Sequence, residues 1–481
     1  MIKLIDEYKK LPETIHATSL LLICSFLQKG ISVITTPIFT RLMSTEEFGQ
    51  YNVIMSWLGI ITILVTFQVS LDYCSQAIVK YFEDKSRFLA SIQGLLTTLI
   101  CIAYIIYFLF RTFWNAVLSM NTVEAVCVLS MAFTTSIFNC WSAEKRTEYS
   151  YKSLTVVTII TSLAKPILGI VLVSNCEDKV EARIVGLALV ELTTYFGIYI
   201  SQFCKGKSFY IKKYWKDALA FSVPLIPHFL SQIILASSDK IMIQNLIGES
   251  EAGIYSLAYS IGQTVQAFST ALLLAISPWI YQKIKMKNII AVGRVVYISL
   301  ASMSLANVLV SAFTPEIVNI FAPNDYYGAI WVVPSVAASV LVQLLYGVTV
   351  LVLMYYSKTL VVTVASMVAS LINVGLNYWL IPQLGYYAAG YTTVISYICQ
   401  AVILYFGMKS VCDECLDGRY LYDIKVVVII MLLSFTTEAA FTLSYLYTLL
   451  RIILILALIT GMFVFRSKIK ESVKMIMKLK Q

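Results

Sequence analysis

Fourteen apolar runs divide this chain almost end to end, at roughly 15–41, 47–79, 89–114, 122–143, 153–174, 184–204, 218–246, 252–282, 289–313, 326–355, 359–381, 386–408, 424–446 and 448–466. A helix needs about 20 apolar residues to cross a bilayer. Each run meets that length, and in hydrocarbon a helix satisfies its own backbone polar groups. Composition agrees. Hydrophobic residues make up 59% of the 481 positions and charged residues only 13%, with a mean hydropathy of +0.80. A soluble domain is nearer a quarter charged. The sequence therefore specifies an all-α, polytopic membrane protein with about 14 transmembrane helices, and excludes a soluble enzyme carrying one anchor. The first apolar run follows a short polar segment, MIKLIDEYKKLPET, and reads as a retained helix rather than a cleaved signal.

The basic residues give the expected topology. With the N-terminus on the cytoplasmic side, 28 of the 36 lysines and arginines fall in cytoplasmic segments, five in outer segments (Arg41, Arg111, Lys179, Arg183, Arg451) and three inside spans (Lys29, Lys165, Lys240). Positive charge accumulates on the cytoplasmic side of membrane proteins. An even number of spans then leaves both termini cytoplasmic. The net charge of +9 is on this reading a topology signal, with an attraction to anionic lipid, and not a nucleic-acid surface.

An internal echo suggests organisation. Glu47-Phe48-Gly49-Gln50-Tyr51 opens span 2, Glu251-Ala252-Gly253-Ile254-Tyr255 opens span 8, and a looser Gly385-Tyr386-Tyr387 opens span 12. The first two lie 204 residues apart, or six spans. Parallel repeats of six spans are one transporter architecture. The expected organisation is an N-lobe at 1–204 (spans 1–6), a basic cytoplasmic linker at 205–217, a C-lobe at 218–410 (spans 7–12), and extra spans 13–14 with a basic tail at 411–481.

Polar residues recur at helical spacing inside the spans. Span 1 carries Ser25, Lys29, Ser32 and Thr36; span 7 carries His228, Gln232 and Asp239; span 8 carries Tyr259, Gln263, Gln266 and Thr270; span 11 carries Ser366, Ser370, Asn373 and Asn377. Such stripes either face a wet cavity, which is the reading favoured here, or join packed helices by hydrogen bonds. The charges say more. Lys29 and Lys165 lie near the midpoints of spans 1 and 5, where a charge costs roughly 2.5–3.5 kcal/mol on insertion scales. They are read as cavity cations, with Arg41 and Lys240, suited to a phosphate or diphosphate. Asp72, Asp239 and Glu191 are candidates for binding a coupling proton or sodium ion. The alternative is pairing, of Lys29 or Lys165 with Asp72 and of Lys240 with Glu191. Pro37 and Pro166 closely follow the two mid-span lysines and can kink their helices.

Catalysis finds little support. The two histidines, His16 and His228, make no cluster, every outer loop is short, and no DxD motif is present. Most of the ten cysteines sit in apolar runs, and the single Cys412-x-x-Cys415 reads as reduced thiols rather than a zinc site.

Three segments carry a resemblance: TTPIFTRLMSTEEFGQYN at 35–52, FSVPLIPHFLSQIILASSDKIMIQNLIGESEAGIYSLAYSIG at 221–262, and IPQLGYYAAGYTTVIS at 381–396. They resemble the O-antigen and capsule (Wzx-type) polysaccharide-repeat flippases of the multidrug/oligosaccharidyl-lipid/polysaccharide superfamily. The resemblance implies two six-helix lobes in a V and alternating access in a bacterial cytoplasmic membrane. It implies a polyprenyl-diphosphate-linked oligosaccharide carried from the inner to the outer leaflet, and no cofactor beyond a coupling H+ or Na+. Cavity cations are a family theme and map here onto Lys29, Arg41, Lys165 and Lys240 by type and location. Membrane lipids and the polysaccharide-polymerase machinery are the candidate partners of an expected monomer. A cation-coupled multidrug (MATE-type) exporter on the same fold is the alternative; it would be expected to place acids, not lysines, at the membrane centre.

Overall fold

The computed structural model describes residues 13–287, 290–464 and 466. Of the expected site residues, the side chains of Ser25 and Asp72 lie outside the described ones. The described residues form helices and no strand. Among the described residues twelve helical spans are long and apolar enough to cross a membrane, and Thr448–Val464 is a shorter apolar helix. Glu13–Leu42, thirty residues long, occupies the first expected span.

The chain divides into two compact units, 1–237 and 238–481. The first contains α1 (Glu13–Leu42), α2 (Thr45–Thr66), α3 (Asp72–Lys80), α4 (Lys85–Leu109), α5 (Arg111–Leu118), α6 (Thr122–Thr147), α7 (Tyr151–Asn175), α8 (Lys179–Gly206) and α9 (Lys212–Ser222). Helix α10 (Ile226–Leu246) begins in the first unit and ends in the second. The second continues with α11 (Glu249–Gly262), α12 (Gln266–Lys285), α13 (Ile290–Ala312), α14 (Thr314–Phe321), α15 (Val333–Tyr355), α16 (Thr359–Leu384), α17 (Tyr387–Cys415), α18 (Ile424–Ser444) and α19 (Thr448–Val464).

Local chemistry sets these boundaries. Ser44 caps α2 in a capping box: its hydroxyl accepts from the Glu47 amide, and the Glu47 carboxylate accepts from the Ser44 amide. Helix α6 opens the same way with Asn121 and Glu124. Gly385, at φ +76°, ends α16 in a conformation that costs glycine little. The sequence echo coincides with two helix starts, Thr45 of α2 and Glu249 of α11, which are 204 residues apart.

Several expected spans are interrupted. Span 7 breaks at a 3₁₀ turn over Val223–Leu225, which contains Pro224 and precedes Pro227. Span 2 breaks where Phe67 and Gln68 adopt left-handed backbone, at φ 50° and 56°. Span 8 breaks at Gln263–Val265 without a proline. Pro334, expected inside span 10, instead sits in the first turn of α15, because residues 324–331 form a 3₁₀ segment. There its missing N–H is no loss, since first-turn amides have no helical acceptor.

In the first unit α8 is central, packing on α2, α4, α6 and α7. The basic stretch that begins at Lys205 becomes a helix at Lys212 and docks on this unit. Tyr214 donates to Asp84 at 2.6 Å, the Trp215 indole donates to the Ser91 carbonyl at 2.8 Å, and Asp217 accepts from Tyr81 and Lys80. In the second unit α15 is central, packing on α11, α12, α13, α17 and α18. Sixteen of its 23 residues are buried, which explains why its run is apolar all round rather than on one face.

Candidate functional site

Two polar constellations among the described residues contain the expected site residues, one in each unit. In the first, Lys165 of α7 donates to Glu191 of α8 at 2.7 Å. Glu191 is buried at 6% exposure, and its other oxygen accepts from Thr134 at 2.8 Å and Thr135 at 3.3 Å, both on α6. The Lys165 side chain keeps 29% of its surface. A buried ion pair persists when the remaining lone pairs are also satisfied, and the two threonines supply that. The favoured reading left Lys165 unneutralised, and the alternative paired Lys29 or Lys165 with Asp72 and Lys240 with Glu191; the structure instead joins Lys165 to Glu191.

Lys29 is different. It is exposed on α1 and makes no ion pair among the described residues. Further along the same helix Ser32 is exposed and Thr36 half-buried, with the Thr36 hydroxyl donating to the Ser32 carbonyl at 2.8 Å. Arg41 is exposed at the helix end, its guanidinium donating to the Pro37 carbonyl at 2.8 Å. Arg41 itself lies in the last turn of the helix, where a cation is favourable. Close by, Arg183 of α8 stacks between Phe39 and Tyr51, its guanidinium carbon 3.7 and 3.5 Å from the two ring centroids. Counting arginines by segment had assigned Arg183 to an outer loop; the structure places it in the first turns of α8. No sequence spacing signals a stack among three separate helices.

In the second unit Asp239 of α10 is 1% exposed. It accepts hydrogen bonds from Tyr255 of α11 at 2.7 Å, Thr393 of α17 at 2.7 Å and Asn377 of α16 at 2.6 Å. Around it Asn373 accepts from Ser238 at 3.1 Å and from Asn377 at 3.2 Å, and donates to Thr393 at 3.2 Å, while Thr392 donates to Asn377. The sequence stripes contained Asp239, Asn373 and Asn377; the tertiary structure brings these three together. Tyr255, Thr392 and Thr393 were not singled out, because hydroxyl residues at helix interfaces are common and only packing shows which acceptor they meet. No lysine or arginine pairs with Asp239 among the described residues. Lys240, next in sequence, projects elsewhere, since successive helical residues are turned by roughly 100°. Its ammonium lies 4.7 Å from the Tyr259 ring centroid, a cation–π contact rather than the alternative pairing with Glu191.

The remaining predicted lining residues are dispersed. Gln232 is half-buried on α10. Gln263 and Gln266 flank the 3₁₀ break between α11 and α12, and the Gln266 side-chain oxygen is buried without a hydrogen-bond partner.

Comparison with known proteins places this geometry. Residues 16–283 match the model of the family described as polysaccharide biosynthesis protein. The Lsg locus protein 1 of Haemophilus influenzae is 28% identical over 214 residues, covering 41% of this chain and 51% of its own length. The chain thus spans about half the length of that curated relative. Among solved structures, the lipid II flippase MurJ in an inward closed conformation superposes with a TM-score of 0.64 at 17% identity, over 93% of this chain and 99% of its own. An inward-facing MATE multidrug-resistance transporter superposes at 0.62 and 14% identity, over 83% and 98%. These two likenesses show the fold. With more than half of the sequence matched by the family model, the chain is a multi-pass membrane protein that belongs to the polysaccharide biosynthesis protein family, in agreement with the resemblance carried by residues 35–52 and 221–262.

Proposed function

We propose that this protein is a flippase that moves a polyprenyl-diphosphate-linked oligosaccharide repeat unit from the inner to the outer leaflet of a bacterial cytoplasmic membrane by alternating access, for surface polysaccharide of the O-antigen or capsule type. The observation that carries the reading is Lys29: a mid-helix cation with no carboxylate partner among the described residues, on a helix that also presents Ser32, Thr36 and Arg41. An unneutralised ammonium in a membrane span needs water or an anion beside it, and a diphosphate supplies the anion. Lys165 and Lys240 are secondary cations in this proposal. Lys165 is held by Glu191 and has part of its surface free to meet a second anion. Both termini are cytoplasmic on this reading, the protein acts without catalysing covalent chemistry, and the polymerase machinery receives its product.

Coupling to a cation is assigned to Asp239. The carboxylate and its neighbours Asn373, Asn377, Thr393 and Tyr255 offer only oxygen acceptors and exchangeable hydroxyls or amides. Hard cations such as Na+ prefer that donor set, and a proton would neutralise the same charge. The drug-exporter reading is weaker, because it would be expected to place acids at the membrane centre, where this chain carries Lys29 and Lys165.

The test is flipping in proteoliposomes with the lipid-linked repeat unit and, in cells, accumulation of that intermediate on the inner leaflet of a flippase-null strain. Lys29→Ala at normal protein level is expected to abolish export, and Lys29→Arg to restore part of it. Full complementation by Lys29→Ala would overturn the proposal.

A further inference from the structure

Helix α18 carries a buried acid that the transport reading does not use. Glu438 is 3% exposed and six residues before the end of its helix. Ser434 donates to one carboxylate oxygen at 2.7 Å, and the other, Oε2, has no hydrogen-bond partner. No ion pair reaches it among the described residues. The nearest arginine along the chain, Arg451, is held by Glu316. A buried carboxyl oxygen left without a partner is costly, of the order of 1–3 kcal/mol or more, so its persistence calls for an occupant.

A place for one exists. Glu438 lines a cavity of about 390 Å³ where α18 meets the starts of α15 and α17. Helix α18 packs on α13 and α15 but scarcely on α17, which leaves the gap. Most of the wall is apolar. At the rim Leu443 is 68% exposed and Tyr391 53%, so the opening faces the lipid. Two more acceptors share the cavity. The Ser335 hydroxyl spends its proton on the Val332 carbonyl at 2.8 Å, and the Thr442 hydroxyl spends its proton on the Glu438 carbonyl at 2.8 Å. Each oxygen keeps acceptor capacity beyond the bond it donates.

We infer that this cavity binds the primary ammonium head group of a membrane phospholipid, such as phosphatidylethanolamine, with Glu438, Ser335 and Thr442 as acceptors. Three acceptors, one of them anionic, match the three N–H donors of a primary ammonium. A metal ion would find too few oxygens in an apolar wall. A trimethylammonium has no N–H to offer, and an anionic head group would meet the carboxylate's repulsion. The rings of Tyr391 and Phe435 add cation–π surface.

The experiment uses the full-length protein in nanodiscs of equimolar phosphatidylethanolamine, phosphatidylcholine and phosphatidylglycerol, with lipids retained after detergent exchange quantified by native mass spectrometry. Wild type is expected to retain phosphatidylethanolamine about tenfold over phosphatidylcholine, and Glu438→Gln to lose that preference, as loss of a charged hydrogen bond predicts. Thr442→Val, which keeps shape and removes one acceptor, is expected to weaken it several-fold and serves if Glu438→Gln does not fold. Equal retention of phosphatidylethanolamine and phosphatidylcholine by wild type would show an acyl-chain groove only and overturn the inference. Unchanged preference in both variants, or preferred retention of phosphatidylglycerol, would overturn it too.

Discussion

The ammonium of Lys165 lies 2.7 Å from a carboxylate oxygen of Glu191, and the opposite oxygen of that carboxylate is held by Thr134 and Thr135. One of the two mid-span lysines is therefore largely neutralised within its own unit, while Lys29 has no such partner among the described residues. The two lysines looked equivalent in the sequence; their surroundings give them different roles. Removing one member of a buried pair leaves an uncompensated charge at a cost of about 3–5 kcal/mol. Lys165→Ala is expected to lower the melting temperature clearly, and Lys165→Ala with Glu191→Gln to recover most of it. If Lys165 serves only the pair, the double variant recovers export as well; if it also meets substrate, stability returns and export does not.

Asp239 is predicted to govern ion dependence. Asp239→Asn removes the charge and replaces one acceptor by a donor facing Tyr255, Thr393 or Asn377, each unmet bond costing about 1–3 kcal/mol. The expected outcome is lowered thermal stability together with loss of any Na+ or pH dependence of flipping in proteoliposomes. Preserved ion dependence in this variant would move the coupling site elsewhere.

A pH-dependent contribution to stability is expected outside the membrane spans, at Glu148. Burial alone would raise its pKa, but hydrogen bonds and charge from Lys145 and Lys85 outweigh it and hold the carboxyl below its ordinary range. A carboxyl depressed in the folded state contributes stability above its unfolded pKa and loses it as pH falls through the folded value. The melting-temperature gap between wild type and Glu148→Gln should therefore be present at neutral pH and close on acidification.

Gly206 and Gly94 sit at two close backbone approaches in the first unit, the first to a neighbouring helix and the second to the segment before α9. A Cβ at Gly206 would sit 2.1 Å from the Ser86 carbonyl oxygen, and one at Gly94 2.0 Å from that of Phe209. Both obstacles are backbone, which cannot swing aside. Gly206→Ala is expected to destabilise by about 1–3 kcal/mol through overpacking, read as a lower melting temperature in detergent. An unchanged melting temperature would mean that α4 and α8 can separate at little cost.

The expected topology is tested by single cysteines in a background lacking native thiols. Glu46, Glu249 and Tyr447 are exposed at helix ends. Glu46→Cys, Glu249→Cys and Tyr447→Cys are each expected to react with an impermeant thiol reagent from outside intact cells. Labelling of all three only from the cytoplasmic side would invert the map.

The sequence by itself determined the class of this protein. Run length and apolar content decide whether a segment can cross a bilayer, and both are local quantities, so the spans could be counted residue by residue. The capping boxes at Ser44 and Asn121 and the break at Pro224 also rest on local chemistry, although the expected span 7 ran through that break. The break at Gln263–Val265 was not legible, because no local breaker causes it. Tertiary structure alone decided the partners. Periodicity assigns Asp239, Asn373 and Asn377 to polar faces, but hydrogen bonding depends on atoms brought within about 3 Å by packing, and residues some 138 positions apart carry no mark of that proximity. For the same reason Lys165 met Glu191 rather than Asp72, and Glu438, one more acid in an apolar run, became the wall of a cavity.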